Sequence, residues 1–130
     1  MQVIRSADRP FVAAGHEDPR DPGVWKRVLF DRADLQPGGV QMINWARMPA
    51  GREFAAHYHE DMQEVFIILR GEAELTVGDD TVTLRAGDAV RIDPREAHQM
   101  ANATDDDCDY LALGITADTG GRTVVVEPDR

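Results

Sequence analysis

The sequence predicts an all-β fold, a sandwich or barrel of short strands in one domain. Three observations carry this prediction. Short apolar or alternating runs are divided throughout by turns rich in glycine, proline and aspartate. No long stretch repeats with the period of an amphipathic helix, and no internal repeat or low-complexity tract is present. A chain of 130 residues has the size of a single domain and can bury most of the surface its unfolded form exposes.

The elements follow in order. The opening segment, through Gly15-His16 and Asp18-Pro19-Arg20-Asp21-Pro22-Gly23, is too rich in proline, glycine and charge to form core, so His16 reads as a surface histidine. Val24 to Phe30 reads as a strand. Pro37-Gly38-Gly39 turns the chain into a strand from Val40 to Met48, and Pro49-Ala50-Gly51 turns it again. The apolar run Val65 to Leu69 follows. Ala73, Leu75 and Val77 alternate with polar neighbours, Gly78-Asp79-Asp80 makes a hairpin turn, and Val82 and Leu84 alternate on the return. After Ala86-Gly87-Asp88, Val90 and Ile92 lead to a corner at Asp93-Pro94, and His98 opens a strand. Thr104 to Asp107 is a solvated acidic loop. Tyr110 to Ile115 reads as a buried strand, and Arg122 to Glu127 as a last one after Thr119-Gly120-Gly121. Val24 to Phe30 and Val124 to Val126 look like sheet edges, and exposed apolar edges invite pairing, so a homodimer is expected.

Composition narrows the function. A formal charge of −10, from 24 acidic and 14 basic residues without a basic stripe, repels a phosphate backbone, so no nucleic-acid partner is expected. Lys26 is the only lysine, and the bias to arginine and aspartate fits either a salt-adapted source or a GC-rich genome. No apolar stretch approaches the roughly 20 residues of a membrane span, and Met1-Gln2-Val3-Ile4-Arg5-Ser6 lacks the pattern of a signal peptide. A cytoplasmic, membrane-free protein is expected. Cys108 is the single cysteine and reads as a small filler in a strand.

The chemistry sits in two short motifs. After Gly51 come five residues, then His57-Tyr58-His59, then four more before Glu64 and six more before Gly71. A second group offers Gly87-Asp88, the Asp93-Pro94 corner, His98 eleven residues after Gly87, and Asn102 four further on. Strand alternation puts His57 and His59 on one face. Glu64 lies five residues after His59, an odd separation that an unbroken strand would send to the opposite face. A break within Glu60-Asp61-Met62-Gln63 is therefore expected, re-aiming Glu64 toward the histidines. An unpaired ionised carboxylate inside a barrel would cost on the order of several kcal/mol, which a divalent cation removes.

These residues, at these spacings, resemble the two motifs of the cupin superfamily. Gly51, His57, His59, Glu64 and Gly71 fit the first motif. Gly87, Asp88, His98 and Asn102 fit the second, but Arg95 stands where a glycine is commonly found. The resemblance covers about residues 40–115. It implies a double-stranded β-helix, or jelly-roll-like, barrel, with an N-terminal arm and edge strand in 1–39 and a C-terminal strand and tail in 116–130. It also implies one divalent transition metal ion held by His57, His59, Glu64 and His98. Imidazole nitrogen with a carboxylate oxygen suits Fe(II), Mn(II), Co(II), Ni(II), Cu(II) or Zn(II).

Four protein ligands on an octahedral ion leave two positions for water, substrate or dioxygen. The expected activity is that of a metal-dependent enzyme, dioxygenase-like, acting on a small polar molecule. The alternatives are an isomerase or epimerase of a sugar-like substrate and a noncatalytic small-ligand-binding protein. A sensor would carry an output element, for which this length leaves no room. Phe66 and Ile68 share strand parity with Glu64, and Met100 with His98, so these three are the expected pocket lining, with plain barrel filling as the alternative. Met42 and Trp45 lie on opposite faces of their strand, and alternation does not say which points inward. Tyr58 should face away from the ion. Gln63 reads as a solvent-facing turn residue, and Asn102 as at most a support.

Overall fold

A computed structural model describes residues 1–117 and 122–127, and among them eleven strands pair into two antiparallel sheets. In chain order these are β1 (Val12–Ala13), β2 (Trp25–Phe30), β3 (Val40–Met48), β4 (His57–His59), β5 (Gln63–Arg70) and β6 (Glu72–Val77). Then come β7 (Asp80–Arg85), β8 (Ala89–Ile92), β9 (His98–Ala101), β10 (Cys108–Ile115) and β11 (Thr123–Val125). One sheet runs β1-β2-β3-β10-β5-β8 and the other β11-β4-β9-β6-β7. The two inner faces enclose the core, as the alternation of apolar and polar residues requires.

β10 lies between β3 and β5, pairing with both along most of its length, which explains why Tyr110 to Ile115 carries so few polar residues. On β3 the buried positions are Asn44, Ala46 and Met48, which decides the open question of facing. Met42 shares their face and lines the interior, while Trp45 points to the other side, where its Nε1 donates to Asp109 Oδ2 at 3.0 Å. Arg47 clamps the same carboxylate from two nitrogens, at 2.8 and 2.9 Å. Burial alone would raise the Asp109 pKa, but the hydrogen bonds from Arg47 and Trp45 outweigh it and hold the carboxyl below its ordinary value.

β6 and β7 form the expected hairpin, with Gly78 at φ +60° in a two-residue turn. Only a residue without Cβ enters that left-handed region freely. Leu84 is buried at 8% exposure, but Val82, expected on the same face, is 48% exposed because it lies toward the tip of a sheet-edge hairpin, beyond cover from the opposite sheet.

Two expectations about the ends need correction. The opening segment does reach the core: Ala14 belongs to its buried cluster, beside Val24 at the head of the next strand. Proline and glycine had marked this stretch as loop, which it mostly is, yet a loop pressed against a barrel still buries its apolar side chains. Likewise β2 is not a free edge, since β1 pairs with it at Trp25 and Lys26. β11 is an edge as expected, shorter than Arg122 to Glu127, and the Thr119-Gly120-Gly121 turn lies outside the described residues.

Candidate metal centre

β4 presents His57 and His59 to the interior, both buried, with Tyr58 between them less so. Residues 60–62 then leave the five-stranded sheet and β5 begins at Gln63 in the six-stranded one. The odd spacing between His59 and Glu64 is thus resolved by a crossing between sheets, and Glu64 faces the histidines from the opposite wall. Gln63 belongs to β5 instead of a solvent-facing turn, and its side-chain nitrogen donates to Asp93 Oδ1 at 2.9 Å. His98 opens β9, directly across from His57 in the strand register.

Four side chains converge. One donor atom from each of His57, His59, Glu64 and His98 can be chosen so that all lie within 4.8 Å of one another. Glu64 Oε1 is 2.6 Å from His59 Nε2, 3.2 Å from His98 Nε2 and 3.9 Å from His57 Nε2. Burial by itself would raise the Glu64 pKa, yet the three imidazoles hold it well below the ordinary value for a glutamate.

The outer nitrogens say which protons are present. His57 Nδ1 lies 2.7 Å from the Ala55 carbonyl, and His98 Nδ1 lies 2.8 Å from the Glu96 carbonyl. A carbonyl only accepts, so both rings must carry hydrogen on Nδ1. In the neutral ring Nε2 is then a bare lone pair, aimed at a carboxylate oxygen that is also electron-rich. Such a set of inward lone pairs is the donor chemistry of a cation site, with the far nitrogens held as metal-binding histidines commonly are. His59 differs, since its Nδ1 meets the Thr123 hydroxyl at 3.0 Å, a group able to donate or accept. Thr123 lies directly opposite His59 in the β4–β11 register. The residues present therefore fit a divalent ion. None of these three anchors is visible in the motif itself.

Beside this group is a cavity of about 90 Å³, bordered by His57 and Glu64 and walled largely by Ala14, Val24, Phe54 and Phe66. Phe54 packs its ring 5.1 Å from that of His57 and 5.9 Å from that of His98. Of the expected lining residues, Phe66 borders the cavity, whereas Ile68 and Met100 lie in the packed core away from it. Strand parity put all three on the correct face, but depth along the strand decided which one meets open space. Tyr110, Asn44 and Lys26 also line the cavity. No motif contained them.

His16 is the main correction. It is not on the surface: its ring sits 4.3 Å from the His57 ring, it lines the cavity, and its Nε2 is buried with no hydrogen-bond partner among the described residues. Burial, followed by the neighbouring His57, pushes its pKa down to about 4, so the ring is neutral at pH 7. A loop-like composition hid it, and only its place in the fold brings it here. Asn102 is a support, away from the cavity lining: its amide donates to the carbonyls of Met48 and Asp106 and accepts from Thr104, fastening the acidic loop.

A family model described as a cupin domain matches residues 44–114, more than half of the chain. This chain is a cupin. An oxalate-binding protein of Thermotoga maritima is 32% identical over 69 residues, which span 53% of this chain and 57% of that protein, less than two thirds of its length. A crystal structure described as a predicted oxalate decarboxylase, also from Thermotoga maritima, superimposes with a TM-score of 0.78 at 25% identity, covering 88% of this chain and 99% of that one. The polyketide cyclase RemF of Streptomyces resistomycificus gives a TM-score of 0.76 over 99% of this chain and 87% of that one, a likeness of fold at 20% identity. The departure at Arg95 leaves the turn intact. Arg95 adopts φ +68°, the left-handed conformation a glycine would take, and its amide donates to the His59 carbonyl at 2.7 Å.

Proposed function

We propose that this cupin is a metal-dependent enzyme whose substrate is a small carboxylate of about the size of oxalate. One observation carries the reading. Lys26, the only lysine in a chain with 24 acidic residues, lines the cavity beside His57 and Glu64, and among the described residues no carboxylate pairs with it. A lysine that lines this cavity without an ion-pair partner can offer its ammonium group to an anion from outside.

Size supports the same class. A water needs about 10–15 Å³ of such space, so a cavity of about 90 Å³ holds on the order of six non-hydrogen atoms. That accommodates a two- or three-carbon acid and argues against a sugar, and so against an isomerase or epimerase of a sugar-like substrate. The relatives named for oxalate agree with a ligand of this kind.

A bound ion would supply Lewis acidity toward a substrate oxygen and, if redox-active, a site for dioxygen. The chain's own residues do the rest. Lys26 neutralises the carboxylate, Phe54 and Phe66 exclude water, and the backbone and Thr123 anchors fix the imidazoles. Oxygen-dependent, dioxygenase-like turnover is the reaction this reading favours, since four protein ligands on an octahedral ion would leave two positions open, while Cys108 lies away from the cavity, buried, with its thiol pKa raised to about 11. The reading includes a cytoplasmic homodimer.

Protein loaded in turn with Fe(II), Mn(II) and Zn(II) should bind oxalate, glyoxylate or glycolate in calorimetric titration. Lys26→Met should weaken that binding about tenfold or more without loss of metal, as expected for removing a charge-assisted contact. Oxygen uptake and carbon dioxide release test turnover. Tight binding with no turnover on any metal would make the protein a noncatalytic ligand-binding cupin, and no binding of any small acid would refute the substrate class.

A further inference from the structure

The N-terminal arm is built into the cavity wall with more care than packing alone requires. Ala14 donates to the Val24 carbonyl at 3.1 Å and Glu17 donates to the Ala14 carbonyl at 3.0 Å, closing the loop that carries His16. The Glu17 carboxylate then accepts from the Gly23 amide at 3.0 Å and from the Ala55 amide at 3.2 Å, two residues before His57. A Cβ at position 23 would overlap the Glu53 carbonyl, so only glycine lets the arm sit this close to the strand bearing the metal ligands. The arm is thereby registered against the candidate metal centre.

What this registration delivers is an imidazole with an unmet need. Among the described residues His16 Nε2 is buried without a partner, and so is Asn44 Oδ1, and both residues line the same cavity. The Asn44 amide nitrogen has only the Met42 sulfur, at 3.2 Å, a weak acceptor. Unpaired buried polar atoms destabilise a fold, and natural structures keep few of them. The His16 Nε2, next to a set of converging metal donors, is accounted for if it carries a hydrogen and a ligand supplies an acceptor, and the Asn44 amide meets the same acceptor when its NH2 end in place of its oxygen is turned to the cavity. His16 is not part of the convergent donor group, which comprises His57, His59, Glu64 and His98. Its place is in the cavity wall beside the donor group.

We propose that His16 is a ligand-contact residue: its Nε2–H donates to the end of the small carboxylate that a bound ion would not hold, with the Asn44 NH2 as a second donor. This rests on the reading of the cavity as a small-carboxylate site. It makes the N-terminal arm, outside both sequence motifs, the part of the chain that sets specificity.

The test uses the full chain loaded with Zn(II), with oxalate as the probe, and three readouts: metal content, oxalate affinity by calorimetry, and the urea midpoint of the metal-free protein. His16→Phe keeps an aromatic ring and removes the polar atom. It should retain stoichiometric zinc, bind oxalate about tenfold more weakly or worse, as for loss of one hydrogen bond to an ionised partner, and unfold at an equal or higher urea concentration. His16→Gln, which restores a polar atom, should recover most of the affinity. Oxalate binding by His16→Phe at the wild-type level overturns the proposal, and so does loss of zinc in step with loss of oxalate, which would mean the ring acts only through His57. If wild-type zinc protein binds no small carboxylate at all, the substrate class fails and takes this proposal with it, an outcome distinct from the other two.

Discussion

Thr123→Val tests the electrostatic logic of the candidate metal centre most directly. Of the three histidines facing Glu64, two are anchored at Nδ1 by backbone carbonyls, Ala55 and Glu96, which no side-chain substitution can remove. Only His59 is anchored by a side chain, the Thr123 hydroxyl at 3.0 Å. With Nε2 donating to Glu64, the hydroxyl donates to Nδ1. When Nε2 must instead offer its lone pair to an ion, Nδ1 carries the hydrogen and the same hydroxyl accepts it. Valine has the same branched shape and suits a strand, so β11 should still pair with β4, but it can play neither part. Loss of such an outer partner typically lowers metal affinity 10–100-fold, or about 1.4–2.8 kcal/mol at about 1.4 kcal/mol per decade. Competition against a chromophoric zinc chelator measures this, with circular dichroism as the control for folding. A variant whose affinity stays within about twofold of wild type would refute the argument that Thr123 orients the ring.

Alanine at His57, His59, Glu64 or His98 should leave a folded barrel without stoichiometric metal by elemental analysis, and a variant that keeps its metal would remove that residue from the ligand set. Arg95→Gly should raise the urea stability by about 0.5–1 kcal/mol, since a non-glycine residue in the left-handed region costs roughly 1–2 kcal/mol and glycine returns part of that as chain entropy; an unchanged or lower midpoint would mean the arginine side chain contributes more than its strain. In metal-free protein the folded-state pKa of His16, about 4, lies below its ordinary value of 6.5. The unfolded chain therefore binds the extra proton between these values, and stability should fall as pH drops from 6.5 toward 4, by on the order of 2 kcal/mol. His16→Phe should flatten this slope in urea titrations at pH 6.5 and 4.5. Sedimentation at micromolar concentration should reveal a dimer, since Trp25, Val125 and Val126 are exposed and β11 is an open edge; a monomer would end the homodimer reading.

The convergence of His57, His59, Glu64 and His98 was legible because it depends on local properties. Alternation in a strand faces His57 and His59 the same way, and the polar break before Glu64 announces a change of phase whatever surrounds it. The hairpin at Gly78 and the buried strand at Tyr110 to Ile115 are local in the same sense. Even the departure at Arg95 proved local, absorbed by one residue in a left-handed turn. What alternation cannot supply is depth. Phe66 and Ile68 share a face, and only the packing of the opposite sheet leaves open space beside the first and fills it around the second.

The sequence by itself determined an acidic, all-β single domain and the four residues that turn toward one point. The tertiary structure decided the chemistry around that point: which walls are apolar, where Lys26 lies, and that His16 comes inside. The reason is the distance along the chain. His16 is held where it is because Glu17 accepts a hydrogen bond from Ala55, 38 residues later, and because Gly23 lies against the Glu53 carbonyl. Contacts between such separated residues leave no period or spacing in the sequence, because each partner looks like ordinary loop until the barrel closes and brings the two together.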